Sequence, residues 1–176
     1  MPQTILRLGV LATRRPPVTR WGPGELRATG VLPHEPATAP STCISAVDGV
    51  ETWYLGARDM VLYSGDTGHH RDNLASGRPS VWVVLRGDTP EAVEIVCLTV
   101  DPYEGEGFAS DLGLMVEAVP MPASVVDTVA AFVARNHVEM PFKKRQRQPV
   151  DPNAMTARAP RILQDADKWV NTPRKR

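Results

Sequence analysis

The sequence predicts an α+β protein: a mostly antiparallel β-sheet or small open barrel, packed by one C-terminal α-helix and followed by a basic tail. Short runs of β-branched and aromatic residues, separated by Gly, Asp, Asn and Pro, recur as far as residue 119. One stretch, over residues 123–138, has apolar residues at helical spacing. No helical pattern separates the strand candidates, which excludes a doubly wound parallel fold.

The first half of the chain contains four strand candidates. They cover residues 4–13, 25–32, 50–55 and 58–63. Pro33 ends the second candidate because proline cannot donate a hydrogen bond to a sheet. Residues 33–42 are rich in Pro, Ser and Thr and predict a loop. The third and fourth candidates predict a hairpin that turns at Gly56-Ala57.

The second half contains the most apolar strands. Residues 64–78 are polar and predict a loop, after which 81–85 and 93–100 predict a hairpin. The near-continuous apolar character of these two strands indicates burial on both faces. Residues 101–104 predict a single helical turn or a loop, and residues 114–119 predict a last strand.

The predicted helix over 123–138 completes a globular domain at residues 1–140. Ser124-x-x-Asp127 resembles a capping box, with aspartate in place of the usual Glu or Gln. Pro141 is expected to stop the helix. The predicted inward stripe consists of Val126, Val129, Ala130, Val133 and His137.

The remaining residues, 141–176, form a basic tail. Residues 1–134 carry 9 basic and 16 acidic side chains, whereas residues 135–176 carry 11 basic and 4 acidic ones. This asymmetry is typical of an interaction tail on an acidic body. Residues 160–170 predict a short amphipathic helix, which needs a docking surface because an isolated helix of this length is marginal in water. The candidate partner-binding residues are Lys143, Lys144, Arg145, Arg147, Ile162, Leu163 and Trp169.

No catalytic, nucleotide-binding or metal-binding motif stands out. Asp66-Thr-Gly68 resembles the short active-site motif of aspartic proteases, but polar and basic residues follow it, which favours a solvated turn. His69 and His70 would point to opposite faces of a strand, and Cys43 and Cys97 form no paired CxxC. The sequence contains no GxSxG, GxGxxG or GxxxxGK[ST]. We therefore expect no catalytic residues, no metal and no cofactor.

A small ligand-binding or enzymatic barrel remains the alternative to a non-catalytic role. It would use the 64–78 loop and requires His70, Asp72 and Glu104 to converge on a concave site. The candidate pocket residues are His69, His70, Asp72, Asn73, Tyr103 and Glu104. A nucleic-acid interface at 143–147 is less favoured than an acidic protein surface, because no aromatic residues interleave with the basic run and the body is acidic.

The two cysteines are too few for a disulfide framework. Cys97 lies within an apolar strand pattern and is expected to be a buried structural thiol, whereas Cys43 lies in a polar loop. The apolar run over residues 5–12 does not resemble a signal peptide, because it is short, it contains Arg7, and the basic pair Arg14-Arg15 follows it instead of preceding it. No run approaches the roughly 20 apolar residues of a membrane-spanning helix. We expect a soluble, cytoplasmic protein.

Several segments together resemble a small proteobacterial family of unknown function. The resemblance covers roughly residues 5–147, and its most specific motif is Phe132-Val-Ala-Arg-Asn-His-Val-Glu-Met-Pro-Phe-Lys-Lys-Arg145. The other segments that carry it are Leu8–Leu11, Trp21 with Val31–Pro33, Asp72–Leu74, Pro79–Arg86, Thr99–Glu104 and Val119–Pro122. Genes of that family tend to lie near those for molybdenum-dependent formate dehydrogenase and its maturation factors. The resemblance implies an accessory or assembly role, with a formate dehydrogenase subunit or maturation factor as partner, and transfers no catalytic residue.

Overall fold

The computed structural model of the chain describes residues 2–17 and 24–139. In these ranges, seven strands form two antiparallel sheets, and three α-helices accompany them. The strands are Gln3–Arg15 (β1), Glu25–Leu32 (β2), Thr42–Val47 (β3), Val50–Tyr63 (β4), Ser80–Arg86 (β5), Glu94–Thr99 (β6) and Met115–Pro120 (β7). The helices are Thr67–Ala75 (α1), Pro102–Phe108 (α2) and Ala123–Asn136 (α3), and a 3-10 turn at Ser64–Asp66 precedes α1. The predicted mostly antiparallel pairing in an α+β chain is present, but the strands form two open sheets instead of the single sheet or small open barrel that was expected.

The larger sheet has the strand order β2-β1-β4-β3, so β1 and β4 are its centre. The predicted hairpin at Gly56-Ala57 is wrong, because β4 is one strand of 14 residues. Gly56 has φ +135°, which produces a bulge rather than a reversal, and both halves of β4 pair with β1. The structure also places β3 along the outer side of β4, directly after the predicted loop.

Bulges in this sheet decide which side chains face the core. Between β1 and β2 the register shifts at Leu11/Ala12, so Thr29 is the extra residue on β2. An extra residue reverses the inward and outward alternation of a strand. Consequently Leu26, Ala28 and Val31 are all buried although their spacing is not strictly two.

The smaller sheet has the order β6-β5-β7, with β5 in the middle. Val81, Val83, Val84 and Leu85 of β5 are fully buried, as expected for a strand covered on both faces. Val81, Val83 and Leu85 join the main core, and α2 covers the other face at Trp82. The predicted 81–85 and 93–100 hairpin is present as β5 and β6.

The helices differ from the prediction in number. The expectation of a single helix is wrong, because the 64–78 loop contains α1 and the 101–104 turn extends into α2. The predicted helix over 123–138 lies at Ala123–Asn136 and ends where His137 turns extended. Ser124 is inside α3 rather than capping it, and the N-cap residue is Pro122. The buried stripe of α3 is Val125, Val129, Phe132 and Val133.

One apolar core joins strands of both sheets to α3. It contains Leu8 and Val10 of β1, Met60 and Leu62 of β4, and Phe132 of α3, among others. The described residues all belong to one unit, Met1–Glu139. Residues 141–176, including the predicted 160–170 helix and every candidate of the basic tail, lie outside the described residues. Across the described ranges, no helix has the length and apolar character that crossing a membrane requires.

Candidate functional site

A cluster of polar side chains lies where α1 meets the start of α2. Its centre is Asp101, which follows β6 and is the N-cap residue of α2, with Pro102 at the first helical position. Asp101 Oδ1 accepts hydrogen bonds from the backbone N–H groups of Tyr103 at 2.9 Å and Glu104 at 3.4 Å. The backbone N–H of Asp101 donates to Thr99 Oγ1 at 3.0 Å. These contacts fix a carboxylate that is largely buried.

His69 of α1 is paired with that carboxylate. Its Nδ1 lies 2.7 Å from Asp101 Oδ2, and its ring centroid lies 4.5 Å from that of Tyr103. Because a carboxylate accepts the hydrogen bond, the geometry favours the tautomer with the proton on Nδ1 and leaves Nε2 as an acceptor. Asp66 completes the group, because ligating atoms of Asp66, His69 and Asp101 all lie within 4.8 Å of one another.

Asn73 anchors α1 beside this group. It is buried, and its Nδ2 donates to the carbonyl oxygens of Ser80 and Val100, both at 2.8 Å. Its Oδ1 accepts from the N–H of Ser80 at 3.0 Å. One side chain therefore ties α1 to β5 and to the residue just before Asp101, which holds His69 in register with its partner.

His70 faces the opposite direction from His69, into the interface with α3. It is 2 % exposed, its ring lies 6.3 Å from that of Phe132, and its Nδ1 has no hydrogen-bond partner in the described part of the chain. Burial lowers the pKa of His70, while the nearby carboxylates of Asp66 and Asp101 oppose that shift.

Two further contacts join α1 to the end of α3. His137 Nδ1 lies 3.2 Å from Thr67 Oγ1, and His137 Nε2 lies 3.1 Å from Arg71 Nη1. The fully buried residues of α1, Thr67, His70 and Asn73, recur every third residue and are all polar, while Leu74 is the partly buried apolar residue that packs against the core. This explains why an apolar pattern did not predict a helix here.

The residues predicted to line a pocket are divided by the structure. His69 and Tyr103 lie together at the Asp101 group, whereas His70 is buried behind them. Asp72 is exposed and pairs with Arg71 at 3.6 Å, and Glu104 is exposed on α2. Sequence reasoning missed Asp66 and Asp101 as members of the group, although Asp101-Pro102 after a strand is a recognisable helix-start signal.

Helix α2 packs against β5 through a close contact between Gly105 and the indole ring of Trp82. A Cβ atom at Gly105 would lie 2.2 Å from both Cδ1 and Cγ of Trp82, so only glycine allows α2 to lie this close to β5. The position of Asp101 depends on this contact because Asp101 is the first residue before α2. Together with Asp66, this His–Asp pair brings three side chains of metal-ligating type into one group.

The two cysteines differ in environment, and neither belongs to the group. Burial raises the pKa of the Cys97 thiol to about 11, which disfavours the reactive thiolate. Cys43 is exposed, and its Sγ lies 3.5 Å from the carbonyl oxygen of Ser45.

A second feature is the outer edge of the larger sheet, formed by β3. In the described residues no strand pairs with its outer side. Residues 43–47 are all exposed, Ile44 is 55 % exposed, and the whole strand Thr42–Val47 carries no charged side chain and no proline. A bulge between Cys43 and Ser45 leaves Ile44 as the extra residue of the strand. Of the features that usually protect sheet edges, β3 has short length and a bulge, but it has no charged residue and no proline.

Comparison with known proteins places the chain in one family. Neither the curated proteins nor the solved structures provide a match to this chain. A family model described as "Protein of unknown function (DUF3305)" matches residues 7–146, which is most of the chain. The protein therefore belongs to the DUF3305 family.

Proposed function

We propose that this protein is a non-catalytic accessory or assembly protein that binds a partner protein along the outer edge of β3. The observation that carries the proposal is the open edge of β3: an exposed, uncharged strand whose outer backbone groups have no partner strand in the described residues. Such an edge accepts an extended segment of another chain as an additional strand, with main-chain hydrogen bonds supplying affinity. Ile44 and Val47 supply exposed apolar side chains for the partner to cover.

The occupant is an extended segment of a cytoplasmic, molybdenum-dependent oxidoreductase of the formate dehydrogenase type, or of one of its maturation factors. This identity is supported by the resemblance of residues 5–147 to a family whose genes accompany such enzymes. The basic tail would add a charge match to an acidic surface of the same partner, which speeds encounter and fixes orientation. The tail candidates Lys143, Lys144, Arg145 and Arg147 belong to this second contact.

A pair of matched variants tests the docking edge. Ile44 and Ile5 are both isoleucines of the larger sheet and both are 55 % exposed, so lysine at either position costs little stability. Tagged wild-type protein, Ile44→Lys and Ile5→Lys would be recovered from cells that produce formate dehydrogenase, and the bound proteins would be quantified. A charge facing the incoming strand should lower partner recovery at least about tenfold in Ile44→Lys.

Ile5→Lys should retain partner recovery close to that of the wild type. Equal recovery with Ile44→Lys and the wild type would contradict docking at β3. Equal losses in both variants would also contradict it, because the effect would then follow from surface charge in general.

A further inference from the structure

We propose that Asp66, His69 and Asp101 bind one divalent transition-metal ion. Their ligating atoms lie within 4.8 Å of one another, which a small rotation of the partly exposed Asp66 side chain brings within reach of a single ion. The three residues come from different positions of the fold: the end of the 3-10 turn, the first turn of α1 and the N-cap of α2.

The geometry of Asp101 is that of a positioned ligand. One carboxylate oxygen, Oδ1, is used by the backbone N–H groups of α2, while Oδ2 faces His69 at 2.7 Å. Carboxylate ligands of metal sites are themselves oriented by such hydrogen bonds. In the metal-free chain Oδ2 accepts the hydrogen bond of His69 Nδ1–H, so a bound ion would displace that proton and take both Nδ1 and Oδ2 as ligands, while Oδ1 continues to cap α2.

The local charge favours a cation. Asp101 is largely buried, and in the described ranges no Arg or Lys forms an ion pair with Asp66, Asp101 or Glu104. The described partner of Asp101 is the imidazole of His69, which carries charge only when protonated. Buried charges in proteins are normally paired or coordinate metals, and a divalent ion would supply the missing positive charge.

The ligand set restricts the class of metal. One imidazole nitrogen with two carboxylate oxygens suits Mn²⁺, Fe²⁺, Co²⁺ or Zn²⁺, whereas soft ions prefer thiolates and Ca²⁺ requires more oxygens. Three protein ligands leave coordination positions open to water or a small ligand.

The test uses Co²⁺ and the full chain after removal of metals by a chelator. Titration followed by calorimetry should show one saturable site per chain, and Co²⁺ should raise the melting temperature of the wild type by mass action. Asp66→Asn, His69→Gln and Asp101→Asn should each weaken binding by more than about tenfold. Asp101→Asn keeps an oxygen that can cap α2, and Asp66 makes no side-chain hydrogen bond to the described residues, so folding is retained in both.

Asp72→Asn is the matched control, because it removes a carboxylate from the same helix but on its exposed side. It should bind Co²⁺ as the wild type does and show the same rise in melting temperature. Absence of saturable Co²⁺ binding by the wild type would overturn the proposal. Unchanged affinity in Asp66→Asn would overturn it as well, because the ion would then bind elsewhere.

Discussion

The contact between Gly105 and Trp82 predicts a large effect from a very small substitution. A methyl group at residue 105 would lie 2.2 Å from two atoms of the indole and 2.8 Å from Trp82 Cβ. Favourable contacts between carbon atoms occur at about 3.5–4.0 Å, so α2 or the indole must move by more than about 1 Å. Overpacking of this kind costs about 1–3 kcal/mol, and the Trp82 Cβ contact places Gly105→Ala near the upper end because it involves the atom nearest the backbone.

Helix propensity acts in the opposite direction. Alanine is more favourable than glycine within a helix by about 1 kcal/mol, which offsets part of the clash. The net expectation for Gly105→Ala is a loss of about 2 kcal/mol in the free energy of unfolding. Gly107 is the matched control: it belongs to the same helix, and an added Cβ there would meet nothing within 4 Å. Gly107→Ala should be neutral or more stable by up to about 1 kcal/mol.

Urea unfolding measures both variants directly. With a slope of about 2 kcal/mol per molar urea, Gly105→Ala should shift the midpoint downward by about 1 M, and Gly107→Ala should shift it upward or leave it unchanged. A midpoint for Gly105→Ala equal to or above that of Gly107→Ala would refute the close seating of α2 on β5. It would also mean that the contact between Gly105 and Trp82 does not fix the position of Asp101.

Three further outcomes are expected from the described contacts and the charge distribution. Asn73→Ala should lose about 3 kcal/mol or more in urea unfolding, because the buried backbone groups of Ser80 and Val100 lose their partners, and a loss below about 0.5 kcal/mol would contradict this. Burial holds the pKa of His70 below 6.5 in the folded protein, so the contribution of neutral His70 to stability is complete above about pH 6.5 and declines as the pH falls toward the folded pKa. The free energy of unfolding of His70→Leu should therefore depend less on pH in that range than that of the wild type, and an unchanged pH profile would contradict this. Removal of residues 141–176 should leave cooperative unfolding intact but weaken partner binding, most clearly at low salt, and loss of cooperativity would mean that the tail belongs to the core.

The strands of this fold were largely predictable because most bury one apolar face and therefore alternate. Where prediction failed, the backbone departed from the regular period. Gly56 was expected to reverse the chain, but its positive φ forms a bulge within one long strand. Strand β3 was not predicted because it is short and exposed, so no buried face produces an alternating apolar pattern in its sequence. Such features depend on pairing between distant segments, which local sequence does not report.

The candidate site was less predictable than the strands. Helix α1 could not be predicted from apolar periodicity, because its fully buried side chains, Thr67, His70 and Asn73, are polar. Helix α3 was expected from the spacing of its apolar residues. Its buried stripe begins at Val125 and not at Val126, because packing against the sheets determines which face of the helix is buried. The pairing of His69 with Asp101 joins residues that are 32 positions apart, so the prediction named His69 but not its partner.

The central claim, that a partner protein docks along β3, is tested most directly by a photoreactive amino acid in place of Ile44. The same residue in place of Ile5 is the control, because both side chains are equally exposed. Irradiation of cells that produce formate dehydrogenase should join the Ile44 position to a subunit of that enzyme or to one of its maturation factors, and should leave the Ile5 position unjoined. Absence of any adduct at Ile44, or adducts at Ile44 with unrelated proteins alone, would contradict the account.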